Sequence, residues 1–222
     1  MIRQLCFPGL LDTGPVSDRV LAIRDGFVNC YVLRAGSGLV LMDAGRCPSS
    51  SARGFEELGL HPRDVTAVFL THLHWDHAGG ARLYPNAQVF VGEAETSSRF
   101  CAKALPPLHQ VRDEETVEAS GLSVRVVDTP GHTSGAVSYI VDGRLLFVGD
   151  TLRLRRGEAL PMLFWFNRDG QALARSLQKL ARLQGLECLL TGHSGVTTDL
   201  DRAFRRWRQP VANAPPQEGN PP

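Results

Sequence analysis

Three histidines and one aspartate lie within six residues of one another. They are His72, His74, Asp76 and His77, and they directly follow the apolar run 65–70. A short apolar run of this kind predicts a buried strand, so the four residues fall where the strand opens into a loop. In extended backbone His72 and His74 leave the same face, whereas Asp76 and His77 fall at the turn into a helix. The segment can therefore offer two imidazoles to one metal ion and a carboxylate with an imidazole to a second.

Three more candidate ligands stand just past other predicted strands. They are His132, Asp150 and His193, each after a short run rich in Val, Leu or Ile and each beside a glycine that lets the backbone turn sharply. Imidazole and carboxylate ligands without thiolate suit Zn, Fe, Mn or Co. Four strand ends that deliver His or Asp to one edge of a sheet predict a metal site. His61 and His109 lack this setting, and we interpret them as surface or capping residues.

The elements that must position these ligands form two β-rich blocks, each followed by helices. This order predicts an α/β protein in which two sheets pack face to face with helices outside. The predicted strands are 18–24, 27–34, 38–43, 65–70, 88–91, 122–127, 137–141, 144–148 and 187–190. The predicted helices are 49–58, 93–104, 170–183 and 199–208, with a short helical turn at 78–83. We expect one domain over residues 1–208 and a disordered, proline-rich tail at 209–222.

Composition excludes several classes of partner. Lys and Arg number 24 against 23 Asp and Glu in 222 residues, so the net charge of +1 gives no electrostatic reason to expect nucleic-acid binding. No apolar run approaches the roughly 20 residues that span a bilayer, and the first residues lack the apolar core of a signal peptide. The five cysteines are widely spaced, without a CxxC pair. We expect reduced thiols in a cytoplasmic protein with a small-molecule substrate, and a homodimer is left open.

The complete pattern resembles the metallo-β-lactamase superfamily. The resemblance runs from about residue 17 to residue 198 and includes the turn at Asp43. It implies an αββα sandwich of two mixed β-sheets with helices on the outer faces. By position, one metal would take His72, His74 and His132, and the other Asp76, His77 and His193, while Asp150 would bridge both. Asp43 resembles the acid that orients ligands without binding metal.

Details of the sequence indicate which branches of the superfamily the chain resembles. Asp150 disfavours true β-lactamases, which usually carry Cys or Ser at that position. The turn at 149–152 resembles the glyoxalase II branch of thioesterases, but their Gly-Cys-Gly-Arg segment and helical glutathione-binding domain have no counterpart here. Quorum-signal lactonases carry a tyrosine near the position at which this chain has Arg153, so their mechanism does not transfer directly. We therefore expect a hydrolase whose substrate is open and is not a glutathione thioester.

The resemblance implies a dinuclear metal-dependent hydrolase that uses a bridging hydroxide to attack the carbonyl of a small ester, thioester or lactone. Zinc is the expected metal, with iron or manganese as alternatives, and Asp76 is the expected catalytic residue that orients the nucleophile. One alternative is a mononuclear non-haem iron enzyme that resembles persulfide dioxygenases and uses His72, His132 and Asp150. Another is a metal-stabilised protein without catalysis, which the intact ligand set disfavours.

Two segments near Asp150 could contact a substrate. Arg153, Arg155 and Arg156 could meet a carboxylate or phosphate, or could belong to a solvated basic loop. The apolar segment 160–166 could line an acyl pocket, form a dimer interface or be part of the core. Core or interface is the interpretation that we favour for it.

Overall fold

The first of two large sheets is built from the N-terminal half of the chain. The computed structural model describes residues 9–95 and 105–208. Within these ranges seven strands lie in sequence order in one sheet, antiparallel from the first to the fourth and parallel from the fourth to the seventh. These strands are β1 (Gly14–Pro15), β2 (Val20–Asp25), β3 (Val28–Ala35), β4 (Gly38–Met42), β5 (Val65–Leu70), β6 (Gln88–Gly92) and β7 (Leu108–Val111).

The second large sheet has six strands from the C-terminal half. Its spatial order is β15-β14-β11-β10-β9-β8, with one parallel pair, β11 with β14. Its strands are β8 (Thr116–Ala119), β9 (Leu122–Asp128), β10 (Val137–Val141), β11 (Leu145–Phe147), β14 (Cys188–Leu190) and β15 (Val196–Thr197). A separate antiparallel hairpin joins β12 (Leu152–Arg155) to β13 (Glu158–Pro161). Both large sheets are therefore mixed.

Four α-helices lie in the described ranges. They are α1 (Pro48–Glu57), α2 (Trp75–Ala78), α3 (Gly170–Ala181) and α4 (Leu200–Phe204), with 3₁₀ turns at Pro62–Asp64, Ala81–Leu83, Glu93–Glu95 and Phe164–Phe166. Helix α3 starts at Asp169, whose side chain accepts hydrogen bonds from the amides of Gln171 and Ala172. None of these helices is long and apolar enough to cross a membrane.

Apolar side chains fill the spaces between the layers and form three cores. The central core lies between the two sheets and contains Tyr31 from β3 and Tyr139 from β10. One outer core packs Phe55 of α1 against the first sheet. The other packs α3 and α4 against the second sheet, with Leu177 among its fully buried side chains. The arrangement is the expected αββα sandwich.

Several predicted elements differ from the structure. The predicted helix 199–208 is shorter, and the predicted helix 93–104 is represented by the turn Glu93–Glu95, the rest of it lying outside the described residues. The predicted tail 209–222 also lies outside them. Strands β1, β7, β8, β12, β13 and β15 were not predicted, because they are short or rich in polar residues.

Two of the three arginines in the basic segment, Arg153 and Arg155, lie in strand β12, whereas Arg156 lies in the exposed turn that follows it. Leu152 and Leu154 are buried while Arg155 is exposed, which is the alternation of a strand with one covered face. The arginines at 153 and 155 interrupted the apolar pattern, so the sequence analysis missed this hairpin.

Candidate metal centre

All seven predicted ligand residues converge at one end of the two sheets. His72 and His74 follow β5, and His132, Asp150 and His193 follow β9, β11 and β14. Asp76 and His77 lie in α2, which begins directly after His74. The side chains form two groups whose ligand atoms lie within 4.8 Å of one another inside each group. The groups are His72, His74, His132 and Asp150, and Asp76, His77 and His193.

The first group is built from three imidazoles of two loops. Nε2 of His132 lies 3.0 Å from Nδ1 of His74. The ring centroids of His72 and His132 are 4.9 Å apart, with the ring planes at 88°. Ligand atoms that converge within 4.8 Å of one another could hold a metal ion.

The second group lies beside the first and is nearly fully buried. Nε2 of His77 and Nε2 of His193 are 3.3 Å apart. An oxygen of Asp76, Oδ2, is 3.5 Å from the same nitrogen of His193. Two imidazoles and one carboxylate therefore face one another here.

Asp150 joins the two groups through its two carboxylate oxygens. Oδ2 lies 3.4 Å from Nε2 of His132, on the side of the first group. Oδ1 lies 3.2 Å from Nε2 of His77 and 3.1 Å from Nε2 of His193, on the side of the second. Each oxygen thus faces a different set of nitrogens, which is the arrangement of a bridging carboxylate.

Two glycines allow the strand ends to come this close. Gly149 has φ of +49°, and a Cβ there would lie 2.2 Å from the hydroxyl oxygen of Thr71. At Gly192 a Cβ would lie 2.7 Å from the His77 ring and 2.9 Å from Asp150. Any larger residue at either position would push the ligand loops apart.

Asp43 orients His77 from behind, as the resemblance implied. Its Oδ2 lies 2.7 Å from Nδ1 of His77, and its Oδ1 accepts a hydrogen bond of 2.8 Å from the amide of Thr71. Asp43 has φ of +59°, a conformation that an aspartate tolerates better than most residues. This contact leaves Nε2 of His77 directed at the second group.

Glu95 is a supporting residue that the sequence analysis missed. Its buried carboxylate accepts hydrogen bonds from the amide of Leu73 (3.0 Å), the hydroxyl of Thr133 (2.6 Å) and the amide of Gly135 (3.0 Å). It therefore ties the loop of His72 and His74 to the loop of His132. The signal available in the sequence was its position shortly after the predicted strand 88–91, at the same sheet edge as the ligands.

Two other ligands are oriented by groups that sequence reasoning did not identify. Oδ1 of Asn167 lies 3.2 Å from Nδ1 of His132. The carbonyl oxygen of Phe27 lies 2.6 Å from Nδ1 of His193. In both cases the Nδ1 contact leaves Nε2 to face Asp150.

The pKa values of the histidines shift in opposite directions in the two groups. Burial lowers the pKa of His72 well below its usual value, lowers that of His74 to about 4 and lowers that of His132. Burial also acts to lower the pKa of His77 and His193, but nearby carboxylates, Asp150 first, overcome it and raise both. Burial therefore dominates the pKa shifts of the first group, whereas the carboxylates dominate those of the second.

The donor set fits divalent metal ions. Nε2 of His72 is buried and has no hydrogen-bond partner within the described part of the chain, although it faces the centre of the first group. An unpaired buried imidazole nitrogen is costly unless an electrophile accepts its lone pair. The remaining donors are imidazole nitrogens and carboxylate oxygens, which suit zinc, iron or manganese.

Two other histidines and three aromatic residues of the apolar segment lie at the surface of the protein. His61 and His109 are exposed and belong to neither group, as expected. In the segment 160–166, Met162 is buried but Phe164, Trp165 and Phe166 are exposed, so the core interpretation is wrong for these three aromatic residues.

Comparisons with known proteins agree with this geometry. The model of the family described as "Metallo-beta-lactamase superfamily" matches residues 23–193. A hydroxyacylglutathione hydrolase of Glaesserella parasuis is 28% identical over 183 residues, which cover 81% of this chain and 70% of that protein. An atrochrysone carboxyl ACP thioesterase of Aspergillus fumigatus is 25% identical over 226 residues, covering 91% of this chain and 67% of that protein. Several other curated relatives are matched over less than two thirds of their own length.

Among solved structures, a metallo-β-lactamase family protein of Thermus thermophilus superposes with a TM-score of 0.67 at 24% identity. The superposition covers 85% of this chain and 76% of that one, and it shows a shared fold. The family model spans all seven converging residues, from the loop after β5 to His193 after β14. The chain has two mixed sheets between helices, seven converging His and Asp side chains and this family match. It therefore belongs to the metallo-β-lactamase superfamily.

Proposed function

We propose that this chain is a dinuclear metal-dependent hydrolase of small ester, thioester or lactone bonds. The single observation that supports it most is Asp150, whose two oxygens face the nitrogens of two separate ligand groups. A mononuclear site would need only one of these groups. Asp76, His77 and His193 form a second buried set of ligand atoms, which supports a place for a second ion.

In this proposal the two groups hold one divalent ion each. His72, His74 and His132 would hold the first and Asp76, His77 and His193 the second, while Asp150 presents one oxygen to each group. Zinc is the metal we expect, since the ligands are imidazoles and carboxylates that already converge without it. Bound divalent ions supply an acidified water and an electrophile for the carbonyl oxygen.

Asp76 is the residue that we assign to proton handling. Its carboxylate is slightly exposed, whereas His77 behind it is fully buried, so Asp76 lies at the solvent side of the second group. During hydrolysis the oxygen of water bonds to the acyl carbon, and the bond from that carbon to sulfur or oxygen breaks. Asp76 would orient the water, accept its proton and pass that proton to the departing thiolate or alkoxide.

The names of the relatives support hydrolysis of an acyl bond but do not identify the acyl group. One is named a hydroxyacylglutathione hydrolase and another a carboxyl ACP thioesterase, and both names describe thioester cleavage. We therefore place thioesters first among the substrates to be tried. The glutathione thioester itself stays disfavoured, because the chain lacks the Gly-Cys-Gly-Arg segment of that branch.

Substitution of Asp76 tests this proposal. Asp76→Ala should lower thioester turnover by at least about a hundredfold, because general-base assistance typically contributes that much. Asp201→Ala, which changes an exposed aspartate on α4, is the matched control and should keep full turnover. Undiminished turnover in Asp76→Ala would contradict the assigned role. Persulfide-dependent O₂ uptake by the wild type, with no hydrolysis, would replace the hydrolase by the iron-dependent alternative.

A further inference from the structure

Exposed aromatic side chains are concentrated around the candidate metal centre. Within residues 9–95 and 105–208 the exposed large hydrophobic side chains are Trp75 (45%), Phe164 (50%), Trp165 (71%) and Phe166 (52%). Scattered apolar residues on a surface are ordinary, but a contiguous set beside a cleft marks a binding surface. Trp75 lies between two candidate ligands in the chain, and Phe166 directly precedes Asn167, which contacts a third.

The first aromatic flank adjoins the second ligand group. Trp75 stands between His74 and Asp76 in the chain, and its ring packs edge-to-face on Phe27 at 5.7 Å. The Phe27 ring in turn stacks on His193 at 5.8 Å. The guanidinium of Arg46 lies 5.1 Å from the Phe27 ring centre and 5.3 Å from that of Trp75. This flank is therefore a fixed apolar surface with one cation at its edge.

The second aromatic flank adjoins the first ligand group. The turn Phe164–Phe166 is followed at once by Asn167, whose Oδ1 contacts Nδ1 of His132. Nδ2 of Asn167 donates a hydrogen bond of 2.6 Å to the carbonyl oxygen of Met162, which closes the turn. The amide of Arg168 also donates to the carbonyl oxygen of His132, at 3.2 Å. The turn that carries the three aromatic residues is thus joined to the loop of His132 by contacts of the two residues that follow it.

Neither flank belongs to one of the three apolar cores. None of the four exposed residues is a member of a core cluster, and the side chains that are packed there lie elsewhere in the fold. The exposed rings contact few neighbours, such as Phe164 with Trp165 at 6.2 Å, and leave a large apolar area in water. The first flank contacts the second ligand group through Phe27 on His193, and the second flank is joined to the first ligand group through Asn167 at His132. A group bound against them would therefore be part of the molecule whose carbonyl reaches the metals.

We propose that the two aromatic flanks bind an extended apolar or aromatic acyl group, which makes esters and thioesters of such acids the substrate class. This inference rests on the proposed hydrolase function. It predicts selectivity against small polar acyl groups, because these cannot cover the exposed rings. Trp165 is the residue whose removal should matter most, since it has the largest exposed fraction of the four.

A series of thioesters that share one thiol tests the proposal. Acetyl, hexanoyl, decanoyl and naphthoyl thioesters of N-acetylcysteamine are compared on the metal-loaded enzyme. We expect kcat/KM to rise at least about tenfold from acetyl to decanoyl, mainly through KM, as burial of a long chain against aromatic rings predicts. In Trp165→Ala the decanoyl-to-acetyl ratio should fall about tenfold. His109→Ala, which removes an exposed ring on β7 far along the chain from the site, should keep the wild-type ratio.

A binding measurement separates this proposal from the hydrolase function. The S-decyl thioether of N-acetylcysteamine has no thioester carbonyl to cleave, and calorimetry gives its Kd against that of the S-ethyl thioether. Tighter binding of the decyl compound, lost in Trp165→Ala, supports the apolar site even if no thioester is hydrolysed. Hydrolysis with a ratio near one and equal Kd values overturns it. A dimer that Trp165→Ala dissociates, together with no thioether binding, also overturns it and assigns the turn to a subunit interface.

Discussion

The hydroxyl of Tyr31 donates a hydrogen bond of 2.8 Å to the carbonyl oxygen of Thr191. Tyr31 belongs to the first sheet, whereas Thr191 follows β14 of the second sheet and precedes His193 by two residues. The reverse contact also exists, because Tyr139 of the second sheet donates a bond of 2.9 Å to the carbonyl oxygen of Leu70, the last residue of β5. Each tyrosine therefore fixes the end of a strand in the opposite sheet, and the loop after that strand carries candidate ligands.

Removal of the Tyr31 hydroxyl should destabilise the fold without changing its packing. Tyr31→Phe leaves the buried carbonyl of Thr191 without its donor, and we expect a loss of about 1–2 kcal/mol in the free energy of unfolding. Urea denaturation measures it. Tyr139→Phe, which removes the reciprocal bond, is the matched comparison and should lose a similar amount. An unchanged denaturation midpoint in both variants would show that the cross-sheet bonds do not stabilise the fold.

Asp43→Asn should weaken metal binding at the second group. Asparagine tolerates the left-handed backbone of Asp43, but its amide cannot replace the charge that faces His77. Loss of such a supporting carboxylate typically lowers metal affinity by about 10- to 100-fold. Competition with a chromogenic zinc chelator gives the affinity of each site.

The matched control for that experiment is Asp142→Asn. Asp142 also has a positive φ, of 51°, but lies in the turn between β10 and β11 and bonds the amide of Ser123. It should keep wild-type metal affinity. If the two variants bind zinc equally well, Asp43 does not support the second group.

Glu95→Ala should affect both stability and the first ligand group. The substitution leaves the buried amides of Leu73 and Gly135 without acceptors, and each loss costs about 1–3 kcal/mol. Since these amides flank His72, His74 and His132, we also expect weaker metal binding at the first group. Thermal unfolding with and without zinc measures both effects.

Glu93→Ala is the control for Glu95, because Glu93 lies in the same 3₁₀ turn but is half exposed and pairs with Arg112 at the surface. It should change the unfolding free energy by less than about 1 kcal/mol. Equal effects of the two substitutions would mean that the turn, rather than the Glu95 carboxylate, supports the ligand loops.

The thiol of Cys47 should react as a thiolate near neutral pH. Hydrogen bonds from Ser49 and Ser50 lower its pKa from 9.0 to about 7. Alkylation by iodoacetamide should therefore rise with pH to half its maximum near pH 7, because only the deprotonated form attacks. Ser49→Ala should move this midpoint to higher pH.

Peptide mass spectrometry follows Cys47 and Cys188 in the same sample. Burial raises the pKa of Cys188, so its labelling should lag behind that of Cys47. A midpoint near pH 9 for Cys47 would show that the serine hydroxyls do not stabilise its thiolate.

The positions of the seven converging residues could be predicted because each follows a short apolar run. Val65–Leu70 and Val137–Val141 match the predicted strands, and α1 begins and ends one residue earlier than the predicted helix. Short apolar runs of this kind are typical of strands buried in a sandwich, and here the loops after them meet at the sheet ends. The position of each ligand after an apolar run therefore predicted both the fold and the site.

The residues around the ligands could not be predicted in the same way. Glu95 and Asn167 lie in short 3₁₀ connections without periodicity, and their roles depend on loops that are distant in sequence. The exposure of Trp165 also could not be predicted, because an apolar stretch has the same composition in a core and on a surface. Contacts between loops, rather than local pattern, decide these positions.

The most direct test of the dinuclear proposal is the metal content per chain, by elemental analysis of protein purified without chelator, with O₂ uptake measured in the presence of a persulfide. We predict close to two equivalents of zinc or manganese in the wild type, about one in His193→Ala, and no O₂ uptake. One equivalent of iron in the wild type, with persulfide-dependent O₂ uptake that His193→Ala retains, would contradict the account and assign the site to a mononuclear oxygenase.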